Sequence, residues 1–271
     1  MALKKPESDQ SFLTVNNLTH SYVQDKGQRL PAIQDVNMNI KNGEFVSLVG
    51  PSGCGKSSLF NIIAGLIDPD EGSIMMAGSD VTGTTGHVGY MLQRDLLLPW
   101  RSVLDNVILG QELQGITKKQ AREEARVFLE KFGLGSFEDK FPDTLSGGMR
   151  QRAAFIRTLL SKKDIFLLDE PLGALDAQTR VLMQEWLLEV WDEFKKTVLF
   201  ITHDIEEAVY LSDRVYVMSA RPGRILAEVL IDLPRPRKTS IRTDPTYMKL
   251  KAEIMDLIRS ESLKALDGPG R

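Results

Sequence analysis

Val36, Met38 and Ile40 alternate with polar neighbours, the period-two pattern of a half-buried strand. Gly43 marks a turn, and Phe45-Val46-Ser47-Leu48-Val49 then reads as a buried strand running into a glycine-rich loop. Beyond Lys56 the period becomes helical, through Leu59, Phe60, Ile62, Ile63 and Leu66. Turn signals at Asp68-Pro69-Asp70 and Gly72 end that segment. From Arg101 to about Lys163 the pattern is helical. Thr117 with Gln120 three residues later resembles a capping box, and Gly133 stands where a helix end favours glycine. Strand-like runs return at Asp164–Leu168 and Val198–Thr202, separated by a long helix over 177–196. Strands alternating with helices predict an α/β fold with a mainly parallel sheet. The helical stretch, about 94–163, predicts a second lobe inserted between two halves of that sheet. Residues 1–11 form a polar leader expected to be disordered, and 240–271 a helical extension. In that extension Tyr247, Leu250, Ile254, Leu257 and Ile258 share one face of a helix predicted over 245–259, packed on the core. The basic residues between 235 and 242 read as a solvated stretch, with a place near anionic headgroups as the alternative.

Composition narrows the class of protein. The chain has 271 residues, 42% hydrophobic and 26% charged, as in an ordinary folded protein. A formal charge of −3 argues against a general nucleic-acid binder. No apolar run approaches the ~20 residues that span a bilayer. The polar start, MALKKPESDQ, predicts no export signal. One cysteine, Cys54, excludes an internal disulfide and fits a reducing compartment. The expected location is cytoplasmic.

The candidate chemistry begins at Gly50-Pro51-Ser52-Gly53-Cys54-Gly55-Lys56-Ser57, which matches G-x-x-x-x-G-K-[ST]. Glycines allow backbone N–H groups to curl around an anion, and the following helix aims its positive end at phosphates. Lys56 would bridge the outer phosphates, and the Ser57 hydroxyl would ligate magnesium. Cys54 fills a variable position of the motif and is assigned no catalytic role. A second apolar strand, Ile165–Leu168, ends in Asp169 and Glu170. Asp169 is the candidate magnesium ligand, and Glu170 the group that orients or deprotonates water. Leu145-Ser146-Gly147-Gly148-Met149 precedes a further helical run and forms a second glycine-bearing helix start suited to an anion. One nucleotide does not need two such sites from one subunit, whereas two subunits packed head to tail would use both. His203 follows a strand, where a nucleotide would lie. His20 and His87 lack such a setting and read as structural.

With the phosphate loop, Gln93, LSGGM at 145–149, FLLDE at 166–170, Ala174-Leu175-Asp176 and Thr202-His203-Asp204 in this order, the sequence resembles the ATP-binding-cassette ATPases over residues 12–232. The resemblance implies a RecA-like P-loop core, an N-terminal antiparallel β portion, an inserted helical subdomain, and two ATP molecules with Mg2+ sandwiched in a dimer. It implies that Tyr22 stacks on adenine and that Ser58 joins Gly50–Ser57 at the nucleotide. It further implies that Gln93 meets magnesium and water, and that Ser146, Gly147 and Gly148 touch the γ-phosphate held by the opposite subunit. Asp176 would sit at the dimer seam, and His203 at the γ-phosphate. Met149 departs from the commoner glutamine of this signature.

The family also gives a place to Gln93-Arg94-Asp95-Leu96-Leu97-Leu98-Pro99-Trp100. In such ATPases this segment lines a groove that receives a short helix of a membrane permease. Leu96, Leu97, Leu98 and Trp100 are thus candidate docking residues, with a split expected between the lobe's own core and the groove. LLLPWRSVLDNV, ARPGRI at 220–225 and DLPRPR at 232–237 resemble the subgroup serving nitrate, sulfonate, taurine and bicarbonate importers. That resemblance implies a peripheral place at the inner membrane face, a permease, an extracytoplasmic solute-binding protein, and a second ATPase subunit, identical or paralogous. Import of a vitamin precursor, a non-transport ATPase and an ATP-gated scaffold are the alternatives.

Overall fold

The structure, a computed structural model, describes residues 11–24 and 27–266. The expected disordered leader falls outside the described residues except for Ser11, which opens the first strand. In chain order the elements are β1 (Ser11–Val23), β2 (Arg29–Lys41), β3 (Phe45–Val49), α1 (Lys56–Ile63), β4 (Glu71–Met76), β5 (Ser79–Asp80) and β6 (Gly89–Met91). There follow α2 (Val103–Val107), α3 (Leu109–Leu113), α4 (Lys118–Lys131), α5 (Gly147–Leu159), β7 (Ile165–Asp169) and α6 (Ala177–Phe194). The chain continues through β8 (Thr197–Ile201), α7 (Ile205–Leu211), β9 (Arg214–Met218), β10 (Ile225–Leu230) and α8 (Pro245–Leu266). Two compact units emerge, one of the residues up to His87 with those from Gln184, the other Val88–Met183.

In the first unit β1 pairs antiparallel with β2 and β4, and β5 adds to β4. Register sets Leu13 against Ile40, Val15 against Met38 and Leu18 against Val36, and all six are buried. Alternation keeps one face of this sheet apolar. A second sheet of the same unit runs β10-β9-β3-β8, with β3 parallel to both neighbours and β10 antiparallel to β9. Every residue of β3 and of β8 is buried, as expected of strands covered on both faces.

Two local expectations are corrected here. The helix after the phosphate loop stops at Ile63, and Leu66 is 58% exposed rather than on the buried face. Gly65 turns the chain at φ +72°, and the N–H groups of Gly65 and Leu66 close the helix on the carbonyls of Ile62 and Asn61. Glycine is required there, because a Cβ would meet the Thr84 carbonyl oxygen at 2.1 Å. Gly72 lies inside β4 rather than in a turn, where its bare backbone admits the carbonyl oxygens of Asn16 and Asn17.

The basic stretch at 235–242 is corrected in part: Lys238 is exposed, whereas Arg235 and Arg242 are half-buried and Arg237 is tucked in. Arg237 is 6% exposed, and its Nη1 donates to the carbonyls of Val209, Tyr210 and Ser212 at the end of α7. A cation there satisfies the unpaired carbonyls and the negative end of the helix dipole. Burial lowers its pKa to about 10, and the group remains charged at neutral pH. Arg235 stacks on Trp191 with 4.0 Å between guanidinium and ring centroid, and donates to the Leu211 carbonyl and Asp213. The C-terminal helix is longer than expected, reaching Leu266. Its apolar face holds: Tyr247 and Ile254 are buried, Leu250, Leu257 and Ile258 half-buried.

In the second unit β6 and β7 are parallel, with Gly89, Tyr90 and Met91 opposite Phe166, Leu167 and Leu168. The expected helical run between them resolves into α2 to α5 with short 3-10 turns. Thr117 caps α4 through the Gln120 N–H, and its hydroxyl donates to the Gln120 side chain at 2.7 Å. Gly133, at φ +65°, ends α4 as the sequence predicts, with N–H bonds from Gly133 and Leu134 to Glu130 and Leu129.

Candidate functional site

The first unit carries the phosphate loop between β3 and α1. Gly55 precedes the helix at φ +106°, a conformation closed to residues with a Cβ. A Cβ at Gly55 would also lie 2.7 Å from Ile33 Cγ2 and 2.8 Å from the Ala32 carbonyl oxygen. The loop thus leans directly on β2. Lys56 is 7% exposed, and its ammonium donates to the carbonyls of Gly50 at 2.8 Å and Pro51 at 3.0 Å. A buried cation is accommodated there because the loop's own carbonyls accept its hydrogen bonds, and it adds positive charge to the loop. Cys54 is 1% exposed and its Sγ lies 3.7 Å from that ammonium. Ser52, Gly53 and Ser57 are exposed at the mouth, so the Ser57 hydroxyl is open to a ligand.

Tyr22 and Ser58 meet in this unit, their hydroxyls 3.0 Å apart. The Tyr22 ring is 37% exposed and packs edge-on to His20 at 4.8 Å between centroids. An aromatic face half open to solvent beside the first turn of α1 is suited to stacking on a base. His20 is itself buried, as its structural reading implied, and neither ring nitrogen has a hydrogen-bond partner. His87 bonds Thr84 through Nε2 at 3.1 Å. His203 is exposed in the turn from β8 to α7. Its neighbours shape that turn. Asp204 caps α7 through the N–H groups of Glu206 and Glu207, and Thr202 bonds the buried Glu207 carboxylate at 2.7 Å. Gln184 holds the other oxygen of Glu207 at 3.1 Å.

The second unit carries the acidic strand end. Every residue of β7 is buried, including Asp169 at 4% exposure. Burial first, and then the negative charge of Asp169, raises the pKa of Tyr90. Glu170 has φ +48°, a strained conformation for a residue with a side chain. Its carboxylate accepts a hydrogen bond from Gln93 Nε2 at 3.0 Å. The structure therefore brings together two residues selected from the sequence, 77 positions apart in the chain.

The signature is a helix start. Ser146 is the N-cap of α5 and accepts from the Met149 N–H at 3.3 Å. Gly147 and Gly148 follow in the first turn, where free N–H groups and the helix dipole favour an anion. Gly148 is close to Leu175, whose Cδ2 would be 3.2 Å from an added Cβ. Asp176 bonds the N–H and hydroxyl of Thr179 at 3.0 and 2.6 Å, capping α6. Those bonds hold its carboxyl below the usual carboxylate range.

The apolar segment divides into buried and exposed leucines. Leu97 is 7% exposed and Leu98 half-buried, whereas Leu96 and Trp100 are 52% and 72% exposed. Its scaffold was not foreseen. Asn106 is fully buried, accepts from the Leu98 N–H at 2.7 Å and donates to the carbonyls of Leu98, Arg101 and Ser102. Arg157 donates to the carbonyls of Asp95 and Leu96, and Arg150 to the Asp95 carboxylate. A signal for Asn106 existed: it is the one amide in Val103–Ile108, set with Asp105 between two apolar pairs. The arginines carried none, for they lie on α5 far along the chain.

With this geometry in view, the chain can be set beside known proteins. The ABC transporter family model matches residues 33–173. An uncharacterized ABC transporter ATP-binding protein of Methanocaldococcus jannaschii is 46% identical over 97% of each chain. A nitrate import ATP-binding protein of Synechocystis is 42% identical over 91% of this chain and 95% of its own. A taurine import ATP-binding protein of Escherichia coli is 41% identical over 89% and 96%. Among solved structures, an ATP-binding cassette dimer in a post-hydrolysis state with ADP and Pi matches 82% of this chain and all of its own. Its TM-score is 0.74 at 31% identity.

Proposed function

We propose, from the premise that this chain belongs to the ABC transporter family and hydrolyses ATP, that it powers an importer of a small solute of the nitrate, sulfonate, taurine or bicarbonate kind. The observation that carries this reading is the conjunction of an intact phosphate loop with a Glu170 held by Gln93 and an exposed Trp100. The first serves the nucleotide, the second its hydrolysis and the third a partner.

ATP is the substrate, and Mg2+ comes with it. The donor set fits that ion: the Ser57 hydroxyl, the Gln93 amide oxygen and the Asp169 carboxylate are all hard oxygen ligands. Magnesium would neutralise charge developing on the phosphates. Lys56 and the backbone of Gly50 to Ser58, through the N–H groups of every residue but Pro51, hold the phosphates, and Tyr22 stacks on the base. Glu170, whose φ fixes its direction and whose carboxylate Gln93 orients, takes a proton from the attacking water. His203 contacts the γ-phosphate. The first turn of α5, with Ser146, Gly147 and Gly148, binds the γ-phosphate held by a second ATPase subunit, identical or paralogous, with Asp176 near the seam.

Such a pair closes on ATP and reopens after hydrolysis. ATP does work on the permease only because it binds the closed pair better than the open one. No helix among the described residues is long and apolar enough to cross a membrane. In this reading the chain works at the inner membrane face, through a permease docked on the exposed Leu96 and Trp100 and the half-buried Leu98. An extracytoplasmic solute-binding protein would deliver the solute.

The test is purification of an affinity-tagged chain from its own cells in mild detergent, followed by mass spectrometry and ATPase assay of the complex. A multi-span permease is expected to co-purify. In that complex Glu170→Gln is expected to retain ATP in a closed pair and lose at least about a hundredfold in turnover. Partners without a permease would overturn the importer reading. Normal turnover of the variant would remove Glu170 from its role.

A further inference from the structure

The C-terminal helix α8 lies beyond the residues the family model matches, and the ATPase cycle gives it no task. It packs on α7 and β9. Tyr247 donates to the Glu206 carbonyl at 3.1 Å, and Ile254 is fully buried. Seven residues on, along the same face, stands Glu261, only 5% exposed. A carboxylate is costly to bury unless it is bonded. Its Oε2 accepts a hydrogen bond from the backbone N–H of Ala220 at 3.2 Å.

Ala220 belongs to the tight loop 219–224 between β9 and β10. Ser219 ties that loop: its hydroxyl lies 2.8 and 3.0 Å from the carbonyls of Ala220 and Pro222 and accepts from the Arg224 N–H at 2.9 Å. The other side of the loop rests on the phosphate loop. A Cβ at Gly223 would stand 2.1 Å from the Cys54 carbonyl oxygen. Gly223 also bonds the Ala32 carbonyl and the Gln34 N–H, each at 2.9 Å. This is the stretch of β2 on which Gly55 leans. At the entry to the phosphate loop, a Cβ at Gly50 would lie 2.9 Å from the Met218 carbonyl oxygen. Three glycines thus mark where β2 and the 218–223 segment back the phosphate loop, and Glu261 pins the far end of that backing.

We propose that Glu261 is a positioning residue for nucleotide binding: by holding the Ala220 N–H it sets the 219–224 loop against Cys54, so the C-terminal helix tunes ATP affinity. The inference rests on the ATP-binding reading. The N–H groups that meet phosphate belong to the residues flanking Cys54, and close-packed backbone passes on a displacement of a few tenths of an ångström. Gly223 has no side chain to absorb such a shift.

The experiment uses the full chain and Mg-ATP, with affinity measured by displacement of a fluorescent ATP analogue, alongside KM, kcat and melting without nucleotide. Glu261→Ala is expected to weaken ATP binding about five- to tenfold, with the loss appearing in KM. Glu261→Gln keeps an acceptor oxygen and is expected to stay within about twofold of the parent. Gly223→Ala, which forces the loop off Cys54, is expected to weaken binding more than about tenfold. Parent-like affinity in Glu261→Ala overturns the proposal, and so does an equal loss in the Ala and Gln variants. Should Glu261→Ala not fold, parent-like affinity in Gly223→Ala, or a large loss in Glu261→Gln, overturns it. If the parent chain itself binds no ATP, the ATP-binding reading fails instead.

Discussion

The loops at 50–57 and 93–102 each follow a strand of a parallel pair, yet they are held in opposite ways. The phosphate loop is held by what it lacks. Gly50 and Gly55 admit backbone from β2 and from the end of β9, and Gly55 adopts φ +106°. Its only long side chain turned inward, Lys56, bonds the loop's own carbonyls. The 93–102 segment is held by side chains arriving from elsewhere: Asn106 beneath it, and Arg150 and Arg157 from α5. The first arrangement suits a ligand that is mostly charge and must meet bare N–H groups. The second leaves Leu96 and Trp100 exposed above a backbone pinned from below. It also ties that segment to α5, the helix that opens with Gly147 and Gly148.

The contrast can be broken from either side. The largest effect is expected from Gly55→Ala, where a Cβ meets Ile33 and Ala32 below 3 Å at a φ that opposes it. ATP binding by the purified chain, read by calorimetry, should fall by more than about a hundredfold, while the chain's far-UV circular dichroism is retained. Retained affinity would mean that the loop does not depend on its glycine backing. Next comes Asn106→Ala, which leaves one N–H and three carbonyls of a half-buried turn without their amide partner. Urea unfolding should show about 2–4 kcal/mol of lost stability, with ATP affinity below the transition close to that of the parent. A loss below about 0.5 kcal/mol would show that the turn stands without its amide. The smallest effect on the isolated chain is expected from Trp100→Ser, for a side chain 72% exposed carries little of the core. Its stability should change by less than about 0.5 kcal/mol while permease capture in detergent is lost. If capture survives and stability falls, Trp100 belongs to the lobe's own core.

The sequence by itself determined whatever rests on local chemistry. The phosphate loop, the acidic end of β7, the caps at Thr117 and Gly133 and the LSGGM helix start are legible because each needs a particular residue type at a short spacing. The order of those motifs carried the family. It also predicted an apolar stripe on the C-terminal helix, since that stripe repeats with the helical period. The tertiary structure decided what depends on partners far along the chain. The leucines at 96–98 are alike in composition, and only packing separates buried Leu97 from exposed Leu96. The basic run at 235–242 reads as solvated until the end of α7 is set beside Arg237, because a helix's unpaired carbonyls leave no mark on a distant arginine. Gly223, Ala220 and Glu261 form one support only once β9, β10 and α8 are assembled. Backbone conformation is a nearest-neighbour property and is written locally, whereas a hydrogen bond across forty residues exists only where the fold brings its two ends together.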